Sequence, residues 1–100
     1  MPLTGQQKRK LKAIAQTMSD DVRLGQAGLS EGFLANLDDL FNRKELVKLR
    51  FTELRGAERQ ELADMVCQAT GAELVHILGR TMLLYRPNPA LAPEQRALRE

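Results

Sequence analysis

The chain holds one cysteine, one histidine and no tryptophan in 100 residues. Cys67 alone closes no internal disulfide. Together with His76 it cannot furnish the four ligands of a structural zinc centre. Cys67 stands in an apolar helical stretch with Leu62, Met65, Val66 and Ala69, so it reads as a small buried hydrophobe. No metal and no other cofactor is expected. No apolar run nears the ~20 residues of a membrane span. The N-terminus lacks the basic-then-apolar order of a secretion leader. The expected location is the cytoplasm, with no membrane partner. Aromatic residues are equally scarce: Phe33, Phe41, Phe51 and Tyr85. The three phenylalanines fall on apolar stripes, which leaves Tyr85 as the single candidate for an exposed stacking platform. A sheet of aromatics that stacks bases is thereby disfavoured.

A paired nucleophile and base is also missing. His76 lies within an apolar run, with no serine or aspartate in evident pairing. Asp38 and Asp39 are neighbours on a helical stretch, so they point about 100° apart and make a poor carboxylate pair. No enzymatic activity is expected.

What the chain does have is an uneven distribution of charge. The net charge is only +2. Yet residues 1–18 hold Lys8, Arg9, Lys10 and Lys12 and no acid, while the acids gather at Asp38 and Asp39 and between Glu53 and Glu73. A basic side on one domain suits a polyanionic partner. A merely solvated helix face is the alternative.

The hydrophobic pattern predicts seven elements. Thr4 to Gln7 reads T-G-Q-Q, a capping box, and Leu11, Ile14, Ala15 and Met18 then follow one helical stripe. Lys12 and Arg9 flank that stripe on one side, with Lys8 at its border and Lys10 on the other side. Val22 to Leu24 suits a short strand. Ser30 suits an N-cap with Glu31 in the first turn, and the stripe Phe33, Leu34, Leu37, Leu40, Phe41 predicts a helix over 31–42. Residues 46–51 alternate, with Val47, Leu49 and Phe51 on one face and Lys48 and Arg50 beside Leu46 on the other. A helix over 56–70 turns Leu62, Val66 and Ala69 inward, and Gly71 caps it. Residues 73–86 read as a hairpin around Gly79-Arg80. The expected register gives one apolar face, with Ile77 opposite Met82, Val75 opposite Leu84 and Glu73 opposite Arg86. The other face is mixed, pairing Leu78 with Thr81, His76 with Leu83 and Leu74 with Tyr85. It is either covered by the first helix or a working surface. Alternating helices and strands demand crossovers, hence one mixed four-stranded sheet packed with three helices.

Between the first strand and the second helix stands RLGQAGLS. Two glycines there, Gly25 and Gly28, let the backbone approach another molecule closely at the positive end of a helix. A tight turn is the simpler alternative. Arg23 precedes the loop, and the Lys48/Arg50 face adds charge.

The stretch LGQAGLSEGFL, with HILGRTMLLYRP near the end and the basic first helix, resembles the bacterial YhbY family. Its members are stand-alone forms of the chloroplast RNA splicing and ribosome maturation (CRM) domain. The resemblance spans residues 3–87. It implies a single α+β domain of order α-β-α-β-α-β-β, similar to the C-terminal domain of bacterial translation initiation factor three. It implies RNA as the partner, namely precursor ribosomal RNA in a particle of the assembling large subunit. Carried over by position, Gly25, Gln26, Ala27 and Gly28 would form the RNA-contacting loop, extended by Lys8, Arg9, Lys10 and Lys12. Gln26-Ala27 is uncharged, so in this chain amides would supply the contact and neighbours the charge. The expected domain is 1–86, monomeric, with a poorly ordered Pro-containing tail over 87–100. A module docking on a ribosomal protein through the mixed hairpin face is the competing expectation.

Overall fold

The protein is described from a computed structural model covering residues 2–25, 28–51 and 57–98. Local signals place its helices. Thr4 Oγ1 accepts from the Gln7 amide at 3.1 Å, and Gln7 Oε1 accepts from the Thr4 amide at 2.9 Å. This capping box satisfies two otherwise orphaned donors and opens α1 (Gly5–Ala15). Ser30 Oγ accepts from the Phe33 amide at 3.1 Å and opens α2 (Glu31–Arg43). α3 (Ala57–Thr70) ends at Gly71, whose φ of +76° lets its amide turn back to the Cys67 carbonyl at 2.8 Å. The strands are β1 (Val22–Arg23), β2 (Leu46–Arg50), β3 (Glu73–Leu78) and β4 (Thr81–Tyr85). Gly79 at φ +59° opens the β3–β4 turn, as its sequence predicts.

The sheet runs β1-β2-β4-β3, with β1 parallel to β2 and the other pairs antiparallel. Three helices and a mixed four-stranded sheet are the expected architecture. Leu37 and Phe41 of α2 and Leu62, Ala63 and Val66 of α3 pack with Val47, Leu49, Met82 and Leu84 on one sheet face. Leu11 and Ala15 of α1 pack with Leu46, Val75, Leu83 and Tyr85 on the other. The central strands β2 and β4 are therefore buried on both sides. Each fully buried large side chain there contributes about 1.5–3 kcal/mol.

Four expectations need correction. The hairpin register holds for Leu78–Thr81, Ile77–Met82 and His76–Leu83, then shifts. A bulge at Val75 brings Leu74 opposite Leu84 and Glu73 opposite Tyr85. The extra residue sends Val75 into the α1 core while Leu74 packs on the main one. Glu73 and Arg86 consequently do not pair. Glu73 Oε2 accepts the Leu3 amide at 2.6 Å, anchoring the start of the chain. Arg86 reaches Asp38 Oδ1 at 2.6 Å and the Thr70 carbonyl at 2.8 Å, and it lies over the Phe41 ring at 5.0 Å. In α3 the buried stripe runs Leu62, Ala63, Val66, Thr70, which leaves Ala69, expected to face inward, exposed. Ile14 is 41% exposed, since α1 meets the sheet through Leu11 and Ala15. Cys67 is half-buried against the main core, and burial pushes its thiol up from its ordinary value, with Asp64 and Glu73 adding to the shift.

Residues 87–98, read from their prolines as a tail, are laid against the domain by Glu45. Its side chain is fully buried. It accepts from the Asn88 amide, from the Ala97 amide at 2.7 Å and from Arg96 Nε at 3.1 Å. Ala97 and Leu98 then extend the α1 core.

Candidate nucleic-acid interface

The register aligns one row of residues across the open end of the sheet: Arg23, Arg50, Thr81 and Leu78. Leu49 and Met82 point to the main core, so this row projects on the α1 side. A second row, Lys48, Leu83 and His76, lies beneath it. α1 covers the lower part of this face and leaves the first row open. The mixed hairpin face is thus divided, covered at Tyr85 and uncovered at Leu78.

The glycine loop leaves the same end of the sheet. Leu24, with its amide on the Arg50 carbonyl at 2.8 Å, is buried in the main core, and Leu29 packs against that core on the far side of the loop. These two residues pin the ends. Between them the Gly28 amide donates to the Gly25 carbonyl at 3.1 Å, closing a four-residue turn. Gly28 has φ +74°, whereas Gly25 needs no positive φ, and a Cβ on either would meet nothing within 4 Å. Gln26 and Ala27 lie outside the described residues. The Gly28 amide is spent on the turn and the Phe33 amide on Ser30. The Glu31 and Gly32 amides remain for an anion at the start of α2. The Glu31 carboxylate occupies the same positive end, so net positive charge has to come from other elements.

Those elements divide into free and engaged cations. Lys8, Arg9, Lys10, Lys12 and Arg23 have no ion-pair or hydrogen-bond partner for their side-chain charges among the described residues. Lys48 is different. Its ammonium donates to the carbonyls of Ala15 at 3.3 Å and Met18 at 3.2 Å, closing the C-terminal end of α1. Arg50 meets Asp20 at 3.3 Å in a pair whose arginine is half exposed, a weak and exchangeable contact. Tyr85, the expected stacking platform, is 6% exposed beneath α1. Phe41 and Phe51 are buried and Phe33 half-buried, so no described aromatic offers an open face. Sequence reasoning missed Gln16, which stands one helical turn after Lys12 and shares its side of α1. The lysine-to-glutamine spacing of four carried that signal.

Against known families, the chain matches the CRS1 / YhbY (CRM) domain over residues 3–86. The chain belongs to that family. The CRM domain here is 34% identical to the Pseudomonas aeruginosa protein named "Probable RNA-binding protein PA4753" over 89 residues, which cover 89% of this chain and 86% of the relative. It is 33% identical to a Haemophilus influenzae protein named "RNA-binding protein", over 86% of this chain and 87% of that one. The CRM fold also superimposes on the solution structure of SAV1595 from Staphylococcus aureus, described as a candidate RNA binder. That match has a TM-score of 0.76 and 31% identity, covering 87% of this chain and 91% of the other.

Proposed function

We propose that the protein is a non-enzymatic RNA-binding protein that grips the RNA backbone at the open end of its sheet. One observation carries this reading: the glycine loop, Arg23, Arg50 and the unpaired Lys12 of α1 follow one another around that end, with no acidic side chain in the Arg23–Leu78 row. Phosphate contacts of this kind fix position without reading sequence, in keeping with the lack of exposed aromatics. The names of the relatives point to the same partner. The CRM family resemblance supports a narrower reading, in which the RNA is a precursor of the large ribosomal subunit within an assembling particle.

The test is a salt titration of RNA binding. Lys8, Arg9 and Lys12 changed together to alanine leave the fold intact, because none of the three anchors the sheet. Each lost phosphate contact lowers the salt slope by about one. A variant with the wild-type slope refutes the basic-face assignment. Crosslinking in cells followed by sequencing of the bound RNA tests the ribosomal reading; a spread over unrelated messages without ribosomal precursor overturns it. A protein-docking module has one observation in its favour, Leu78, 70% exposed at the hairpin end. It predicts no salt-dependent RNA binding at all.

A further inference from the structure

The uncovered part of the α1 face is a cleft. Lys12, Ala15 and Gln16 form one wall, and Leu78, Thr81 and Leu83 form the floor, with His76 and Lys48 at the sides. Its volume is about 180 Å³. That is below the ~300–1,000 Å³ of sites for whole small molecules, and suits one flat ring system. The floor is apolar, which disfavours a phosphate inside it. The rim offers an amide with both a donor and an acceptor at Gln16, and an imidazole at His76. Among the described residues, no acidic side chain lines it. The Lys48 ammonium is held by carbonyls of the α1 end, so the cleft wall is fixed. Lys12 stands free at the mouth, and the Arg50–Arg23 row leads from the cleft to the glycine loop.

We infer that this cleft receives one unpaired nucleobase from the bound RNA, with Lys12 and Arg50 holding the phosphates on either side. This rests on the RNA-binding reading above. The apolar floor takes the faces and edges of the ring, while Gln16 and His76 meet its polar edge. Readers of single-stranded RNA splay bases out in this manner, usually onto an aromatic side chain. Here an aliphatic floor and a histidine take that place. The protein would then prefer bulged or looped RNA over a continuous duplex of equal charge.

The experiment uses the full chain and three hairpin RNAs sharing one stem: fully paired, with a single bulged 2-aminopurine, and with an abasic site at the bulge. The bulged RNA is expected to bind about tenfold tighter than the other two, with a change in 2-aminopurine fluorescence on binding. Gln16→Trp, at an exposed position, fills the cleft and removes that preference while leaving affinity for the paired hairpin unchanged. His76→Ala narrows the preference. Equal binding of all three RNAs by the wild-type protein, or a preference that survives Gln16→Trp, overturns the inference. Absence of salt-dependent binding to any of the three instead overturns the RNA-binding reading on which it rests.

Discussion

Two alanine substitutions in the glycine loop separate what the loop needs for folding from what it needs for binding. At Gly28, φ is +74° and a Cβ would meet nothing within 4 Å. The cost of Gly28→Ala is therefore purely torsional, about 1–2 kcal/mol for an L-residue held in the left-handed region. The reduced entropy of the unfolded chain offsets about 0.4–1 kcal/mol of it. The net loss is under 2 kcal/mol, a fall in Tm of several degrees at ~4–8 °C per kcal/mol. Gly25 has neither a positive φ nor a neighbour within 4 Å. Gly25→Ala therefore leaves stability unchanged or raises it by about 0.4–1 kcal/mol. On the proposed reading, its methyl group instead stands where the RNA backbone approaches. Losing one charge-assisted hydrogen bond to phosphate costs about 1.5–3 kcal/mol, so Kd rises roughly 10- to 150-fold. Thermal denaturation and RNA titration at fixed salt read the two effects apart. A Gly25→Ala protein that binds RNA as the wild type does would refute close backbone approach at this loop.

Two further substitutions test side chains whose roles the fold assigns. Lys48→Met releases the carbonyls of Ala15 and Met18 and costs about 0.5–2 kcal/mol, while the salt slope of RNA binding stays where it is; a slope lower by about one would mark Lys48 as a phosphate contact after all. Glu45→Gln keeps the shape of the buried hub but removes the charge that Arg96 and the Asn88 and Ala97 amides address. It costs about 2–3 kcal/mol, seen as a lowered denaturation midpoint, and an unchanged midpoint would show that the 87–98 segment is not held there.

Much of the fold was legible because its signals are local. Thr4 with Gln7, Ser30, Gly71 and Gly79 each act within four residues of themselves, and each stands where its chemistry predicts. The candidate site was legible in its position, between a strand end and a capped helix, and in the free cations of α1. What escaped depends on distant partners. Nothing near Lys48 announces the carbonyls of α1, more than 25 residues earlier. The prolines after Arg86 suggest a loose tail, but Glu45, a buried acid in the middle of the chain, supplies the binding partner for it. The Val75 bulge is a third case. Residues 73–78 carry apolar side chains on both sides, Val75 and Ile77 on one and Leu74 and Leu78 on the other, so alternation cannot say which residue serves which core, and only the presence of α1 decides it. Tyr85 was misjudged for the same reason, since the helix that covers it lies some 70 residues earlier.

The glycine loop hangs from β1, a strand of two residues on the edge of the sheet, paired only with β2. Fraying of so short an edge breaks few hydrogen bonds and leaves the doubly covered β2 and β4 untouched. Leu24 and Leu29 meanwhile stay packed on the main core. The edge strand β1 is thereby able to loosen and re-form without drawing on the stability of the domain. The sheet end that carries Arg50 stays rigid while its neighbour adapts, so a strand of RNA would meet one fixed jaw and one compliant one.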